Sequence, residues 1–330
     1  MIKVGINGFG RIGRCALKLI SKMDNIEVVA INDLTDSEQL AYLYEYDSIY
    51  RRNEEEVSYN DSSIIVDGKE IKVYKESDPK NIPWGSHEVD VVLECTGVFT
   101  SVEKCKAHIE AGAKKVIISA PSKDEAKTIV YGVNESILNS NDKIISCASC
   151  TTNCLAPVLN LLHMNYTVKK GYMTTVHAMT NDQETLDIPH KKGIASRRGR
   201  AASLNIIPTS TGAASSIGKV IPSLEGKLEG SAFRVPVGDG SLIDLTLELD
   251  ETTTKEQIND TFRDNENEVL KITDTPIVSS DIIGEKVGAL VDSLSTKVID
   301  GSFVKVVAWY DNELGYTAQM IRTLKYFSNL

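Results

Sequence analysis

The residue pattern predicts an α/β chain with two dissimilar halves. A doubly wound, mostly parallel sheet comes first, followed by an α+β domain built on a mostly antiparallel sheet. Three observations carry this. Short apolar runs alternate with helical spacings through the first half, which is how a parallel sheet covered on both faces is encoded. Strict alternation marks the second half, as in Leu242-Ile-Asp-Leu-Thr-Leu-Glu-Leu249, the pattern of an antiparallel strand with one buried face. The chain's 330 residues give room for two domains at the usual ~100–200 residues each.

Taken in order, Ile2–Ile6 reads as a strand, and Arg11–Lys22 as a helix in which Ile12, Ala16, Leu19 and Ile20 share a face. Ile26–Ile31, Val89–Leu93 and Lys115–Ser119 are the next strands, with a helix over Val102–Ala111. The apolar run Lys143–Ser146 gives way to a helical pattern carried by Leu155, Val158, Leu159 and Leu162. Strands follow at Gly171–Ala178, Ser231–Val237 and Leu242–Leu249, then a helix over Lys255–Phe262 for which Thr254 is the expected cap. In the final helix Ile321, Leu324 and Phe327 share a face. The expected domains are 1–149 and 150–311, with 312–330 packing back on the first.

Composition narrows the function. A net charge of −10 argues against a general nucleic-acid or anionic-membrane surface. The local cluster Arg197, Arg198 and Arg200 still suits a small phosphate. Glycine and asparagine interrupt the N-terminal residues before a secretory apolar region forms, and the longest apolar runs fall far short of the ~20 residues that span a bilayer. Six cysteines in a chain of this size read as free thiols in a reducing compartment. The expectation is a cytoplasmic enzyme with no metal.

Gly8-x-Gly10-x-x-Gly13 follows the first strand and opens a helix. The three glycines provide the tight turn, close backbone approach to a pyrophosphate, and helix-on-strand packing. Asp33 lies 20 residues after Gly13, at the end of the second strand, where a carboxylate accepts from a ribose hydroxyl and repels a 2′-phosphate. This is a Rossmann-type site for NAD rather than NADP. Thr96-Gly97 and Ser119-Ala120-Pro121 stand at later strand ends, where such folds hold the rest of a dinucleotide.

Ser149-Cys150-Thr151-Thr152-Asn153 sits at the strand-to-helix junction. Free N–H groups of a helix start favour thiolate over thiol, so Cys150 is the candidate nucleophile. His177, in a predicted core strand, is the candidate base, and as imidazolium it would lower the thiol's pKa. Arg234 lies inside the apolar run Phe233–Val237, where it reads as an ion pair or an anion clamp. Ile206–Ala214 offers hydroxyls and N–H groups at an expected loop-to-helix junction. A rival reading makes Cys147, Cys150, Cys154 and His163 a zinc site, although no second pair closes it.

Taken together these motifs resemble the glyceraldehyde-3-phosphate dehydrogenases: Ile-Asn-Gly-Phe-Gly-Arg-Ile-Gly-Arg at 6–14, Ala-Ser-Cys-Thr-Thr-Asn-Cys-Leu-Ala-Pro at 148–157, Thr-Val-His-Ala at 175–178, Pro-Thr-Ser-Thr-Gly-Ala-Ala at 208–214 and Trp-Tyr-Asp-Asn-Glu-Leu-Gly-Tyr at 309–316. The resemblance implies that Cys150 attacks an aldehyde, His177 takes the proton and inorganic phosphate cleaves the resulting thioester. It also implies a substrate-phosphate site at Thr180, Asp182 and Arg234, and an inorganic-phosphate site at Ser149, Thr151, Arg198, Thr211 and Gly212. Cofactor contacts carry over to Arg11, Ile12, Asp33 and Ser119, with Asn312 orienting the nicotinamide carboxamide and Tyr316 nearby, and a homotetramer is expected. The runner-up within the same chemistry is the related erythrose-4-phosphate dehydrogenase. Three departures from the family pattern stand out. Ser77 replaces an arginine near the adenine, Lys191–Ser196 lengthens the loop after Pro189, and Cys147 replaces an asparagine, giving a Cys147-x-x-Cys150 pair in which Cys147 is a candidate redox partner.

Overall fold

The alternation in the first half folds as a nine-stranded sheet. In the computed structural model, which describes residues 1–330, this part contains β1 (Ile2–Asn7), α1 (Arg11–Ile20), β2 (Ile26–Asn32), α2 (Ser37–Glu45), the small hairpin β3 (Tyr46–Asp47) and β4 (Arg51–Arg52), β5 (Val57–Asn60), β6 (Ser63–Val66), β7 (Lys69–Tyr74), β8 (Val91–Glu94), α3 (Val102–Glu110), β9 (Lys115–Ile118), β10 (Lys127–Thr128) and β11 (Ile144–Ser146). The order is β10-β11-β9-β8-β1-β2-β7-β6-β5. Neighbours run parallel from β10 to β7 and antiparallel in the β7-β6-β5 edge. Val4, Ile6, Val91, Val92, Leu93, Val116, Ile117 and Ile118 are fully buried, as continuous apolar strands covered on both faces require. Gly5 is needed for a close approach, since a Cβ there would stand 2.6 Å from the Trp84 ring. The β5–β7 meander is absent from the sequence reading because its strands are short and β5 is largely exposed.

The second half contributes α4 (Cys150–Tyr166), β12 (Val168–His177), β13 (Ile207–Ser210), β14 (Leu228–Arg234), β15 (Ser241–Leu249), α5 (Lys255–Arg263), β16 (Leu270–Thr273), β17 (Ala289–Asp292), β18 (Lys297–Ile299), β19 (Phe303–Tyr310) and α6 (Leu314–Ser328). Its sheet runs β13-β14-β12-β15-β19-β17-β16, with β18 on β19. Only β12–β14 and β16–β17 are parallel. Alternation in β15 puts Ile243, Leu245, Leu247 and Leu249 in the core. Thr254 caps α5 as expected and Gln257 completes the reciprocal pair, each side chain accepting from the other's backbone N–H.

By contact the chain divides into one unit of 1–129, 135–148 and 320–330 and another of 130–134 and 149–319. Within the first, Lys115 Nζ donates to the Phe327 carbonyl at 2.6 Å and lies over the Phe327 ring. A cation is thereby set at the carbonyl end of α6, where the helix dipole favours it. Residues 206–214 differ from expectation. Ile207–Ser210 pairs with β14 as an edge strand, and two short 3₁₀ turns, Ile217–Lys219 and Pro222–Leu224, follow in place of a helix. The β-branched residues suit a strand, and Pro208 is tolerated because the strand is an edge.

Candidate active site

At the glycine loop, Gly8 has φ +91° and a Cβ there would meet Thr96 N at 2.8 Å, while one on Gly13 would meet Gly8 O at 2.3 Å. Both glycines are dictated by the chain itself. Gly10 is not, for a Cβ there touches nothing, which leaves this face of the helix start open to a ligand. Asp33 accepts from Phe9 N at 2.8 Å and Thr35 N at 3.0 Å, so its carboxylate stands beside the glycine turn. Ile12 occupies the first turn of α1. Thr96 and Ser119 follow β8 and β9, so these residues cluster at the carboxyl ends of adjacent strands, where open α/β sheets bind ligands. Two side chains expected there are committed elsewhere. The Arg11 guanidinium pairs with Asp47, and the Thr96 hydroxyl donates to the buried Glu94 while accepting from Val98 N.

In the second unit Cys150 is the first residue of α4, and Ser149 is its cap, accepting from Thr152 N at 3.1 Å. The Cys150 sulfur lies 3.4 Å from His177 Nε2. His177 Nδ1 is 2.8 Å from the Ala178 carbonyl. With Nδ1–H donating there, Nε2 is left as an acceptor facing the sulfur. The Thr151 hydroxyl turns inward to Tyr310 OH at 2.9 Å and also reaches the Cys150 sulfur. Tyr310 bonds in turn to Thr175 at 2.9 Å.

The electrostatics correct the simple picture of a thiolate stabilised by its helix. Burial pushes the Cys150 thiol up, opposed by Arg234 and by the Thr151 hydroxyl and N–H. Burial, and then the charge of Arg234, pushes the His177 imidazole down to about 3. Each group is thus driven to its neutral form while its partner is neutral. Ionised together across 3.4 Å they attract by about 5 kcal/mol at an effective dielectric of ~20. That attraction opposes the burial of the two charges, and groups this close titrate as a coupled pair.

Beside the pair is an anion cradle. The parallel register of β12 on β14 sets Arg234 directly opposite His177. Arg234 Nη1 donates to Thr180 Oγ1 at 2.7 Å and to the Ala178 carbonyl at 3.0 Å, and stands 3.1 Å from His177 Nδ1. Its Nε is buried without a partner. Asp182 holds Thr180 and Arg198 together. Burial opposes its ionisation, but the Thr180 hydroxyl and the charges of Arg198 and Arg234 lower its carboxyl to about 2. Arg198 also reaches Thr209 Oγ1 and the Ser210 carbonyl, both at 3.3 Å. Two cations against one carboxylate leave this cradle positive. Thr211 takes Ala213 N at 3.2 Å and Gly212 has an open face.

Sequence models of two domains match the chain: "Glyceraldehyde 3-phosphate dehydrogenase, NAD binding domain" over residues 2–102 and "Glyceraldehyde 3-phosphate dehydrogenase, C-terminal domain" over residues 149–312. The whole chain is 51% identical to the glyceraldehyde-3-phosphate dehydrogenase of Clostridium acetobutylicum, 52% to that of Clostridium pasteurianum and 49% to that of Streptococcus pyogenes, covering 99% of each. The chain belongs to the glyceraldehyde-3-phosphate dehydrogenase family.

As a glyceraldehyde-3-phosphate dehydrogenase family member it is an NAD-dependent oxidoreductase, and its own residues fit that cofactor. The open face at Gly10 and the carboxylate of Asp33 suit the nucleotide half. Asn312 is 4% exposed and its Nδ2 donor has no partner, an arrangement that costs about 1–3 kcal/mol unless a ligand group accepts from it. Tyr316 is buried in the first turn of α6. The zinc reading does not survive, because Cys150 and His163 lie 13 residues apart in α4, about 20 Å along the axis, and His163 Nδ1 is occupied by Val168 N. Cys147 is 1% exposed, bonded to Thr323 within the first unit, and burial pushes its thiol up to about 12. It is a packing residue rather than a poised redox partner. Thr175, Thr209, Ser241 and Tyr310 escaped the sequence reading. Thr175, Thr209 and Tyr310 lie inside the motifs at 175–178, 208–214 and 309–316, whereas Ser241 lies in none of them.

Proposed function

We propose that this chain oxidises glyceraldehyde 3-phosphate and phosphorylates the product to 1,3-bisphosphoglycerate, as the glycolytic enzyme of its family. The observation that carries the reading is a sulfur and an imidazole 3.4 Å apart beside a cradle with two arginines. Arg234, Thr180 and Asp182 hold the substrate's phosphate, which fixes the aldehyde carbon over Cys150. The sulfur forms a bond to that carbon while His177 Nε2 accounts for the proton of the new hydroxyl. NAD, when bound, supplies the hydride acceptor that makes the oxidation to a thioester possible. Inorganic phosphate, received by Ser149, Arg198, Thr211 and Gly212, then breaks the carbon–sulfur bond and releases the acyl phosphate, returning Cys150. Thr151 joins these phosphate-binding residues in the reading, and its hydroxyl and N–H also support the Cys150 sulfur.

A homotetramer in the cytoplasm accompanies this reading. The lengthened loop and the segments flanking it support the assembly: Leu186, Ile188, Ile194, Leu204 and Ile206 are all exposed, Ile194 by 97%, a density of apolar side chains that suits a partner surface. No helix is long and apolar enough to cross a membrane. The test is NADH production from glyceraldehyde 3-phosphate with and without phosphate. Sustained turnover only with phosphate is expected, whereas phosphate-independent turnover with erythrose 4-phosphate preferred would favour the runner-up.

Asp33 sets the cofactor preference in this reading. Its carboxylate, fixed by Phe9 N and Thr35 N, accepts from the adenosine ribose and repels a 2′-phosphate. Asp33→Ala is expected to weaken NAD and narrow the NAD-to-NADP gap in kcat/KM. Equal use of the two cofactors by the unaltered protein would remove the argument.

A further inference from the structure

Asn312 presents an unpartnered donor because something holds its amide the right way round, and the responsible group is Ser241. Ser241 is the first residue of β15 and is wholly buried. The Ala178 N–H donates to Ser241 Oγ at 3.0 Å, and Ser241 Oγ lies 2.6 Å from Asn312 Oδ1. The directions of these bonds are forced. A backbone N–H can only donate, so the hydroxyl accepts from Ala178, and its own proton finds an acceptor when Asn312 offers its oxygen. Were the amide reversed, the hydroxyl would face two donors, its proton would have no acceptor, and a bare carbonyl would replace the free Nδ2. Asp239 Oδ1 lies 3.3 Å from the Asn312 backbone N–H, which holds the main chain but leaves the amide plane free to turn.

We propose that Ser241 is a positioning residue for the nicotinamide end of the cofactor, fixing Asn312 as a hydrogen-bond donor toward the ring's carbonyl. The proposal rests on the reading of Asn312 as the nicotinamide contact and goes one step beneath it. It also ties that contact to the base, for Ala178 gives its N–H to Ser241 and takes His177 Nδ1 on its carbonyl. Ring anchor and base thus hang on the two polar groups of one residue.

The experiment is calorimetric binding to the full chain of three probes: ADP-ribose, NAD and the 3-acetylpyridine analogue of NAD. ADP-ribose has no ring, and the analogue keeps the ring carbonyl but has no amide N–H. In Ser241→Ala the Asn312 amide is free to reverse. NAD then recovers a bond by donating its own amide to Oδ1, and the analogue cannot. The expected result is unchanged ADP-ribose binding, little loss for NAD, and a loss of roughly three- to tenfold for the analogue, the size of one hydrogen bond. Ser241→Thr, which keeps the hydroxyl, restores the ratio. Should Ser241→Ala fail to fold, Ser241→Cys, a weak donor of similar shape, serves the same comparison. Equal weakening of NAD and its analogue, weakening of ADP-ribose alongside them, or no change at all overturns the role of Ser241. Failure of the unaltered protein to bind either NAD or ADP-ribose overturns the reading beneath it as well.

Discussion

Cys150→Ser is expected to abolish aldehyde oxidation while leaving NAD binding intact. The sulfur sits at the first turn of α4, against His177 and beside Arg234. A serine hydroxyl there has an ordinary pKa far above that of a thiol, and an attraction of the size available in this site does not bring it to an alkoxide. The change removes one atom type without altering volume appreciably, so the fold should persist. Two measurements check this, steady-state NADH formation and NAD titration by calorimetry. Residual activity of a tenth or more would mean that the chemistry runs elsewhere.

His177→Asn is expected to slow turnover by roughly 10²–10⁴, the range for a lost acid–base group. It should also alter Cys150 itself. When the thiolate forms, the His177 ring that takes its proton compensates it across 3.4 Å. In the variant that attraction is gone, and the burial that raises the thiol remains. The thiolate fraction at pH 7 therefore falls, and the inflection in the rate of alkylation by iodoacetamide moves to higher pH. An unchanged profile would show that His177 does not polarise the sulfur.

The parts of this site that were legible in the sequence are those encoded locally. The glycine loop, Asp33 after the second strand, Cys150 at a strand-to-helix junction and Thr254 as a cap all depend on residues within a turn or two of one another. The element types of the major strands and helices followed from periodicity for the same reason. What escaped depends on register. Arg234 stands opposite His177 only because β12 and β14 pair in parallel over seven residues, and nothing in either strand announces its partner. The same holds for Ser241, whose value lies in its bonds to Ala178 and Asn312, distant in sequence. The direction of each thiol and imidazole shift was also hidden, since burial is a property of the packed chain. That is why the Cys150 thiol was expected to be lowered outright, when in the packed chain burial outweighs Arg234 and the Thr151 donors and pushes it up. Side-chain commitments such as Arg11 to Asp47 and Thr151 to Tyr310 are likewise tertiary, so motif membership alone did not reveal them.

The central claim is that Cys150 carries the acyl group between oxidation and phosphate attack. Protein mixed with NAD and glyceraldehyde 3-phosphate in phosphate-free buffer, quenched in acid within one turnover and digested, is read by mass spectrometry. The predicted result is one phosphoglyceroyl group on the peptide containing Cys150, formed with a burst of NADH no larger than the number of sites and removed when phosphate is added. An unmodified Cys150 alongside a full NADH burst, or an acyl group on any other residue, would contradict it.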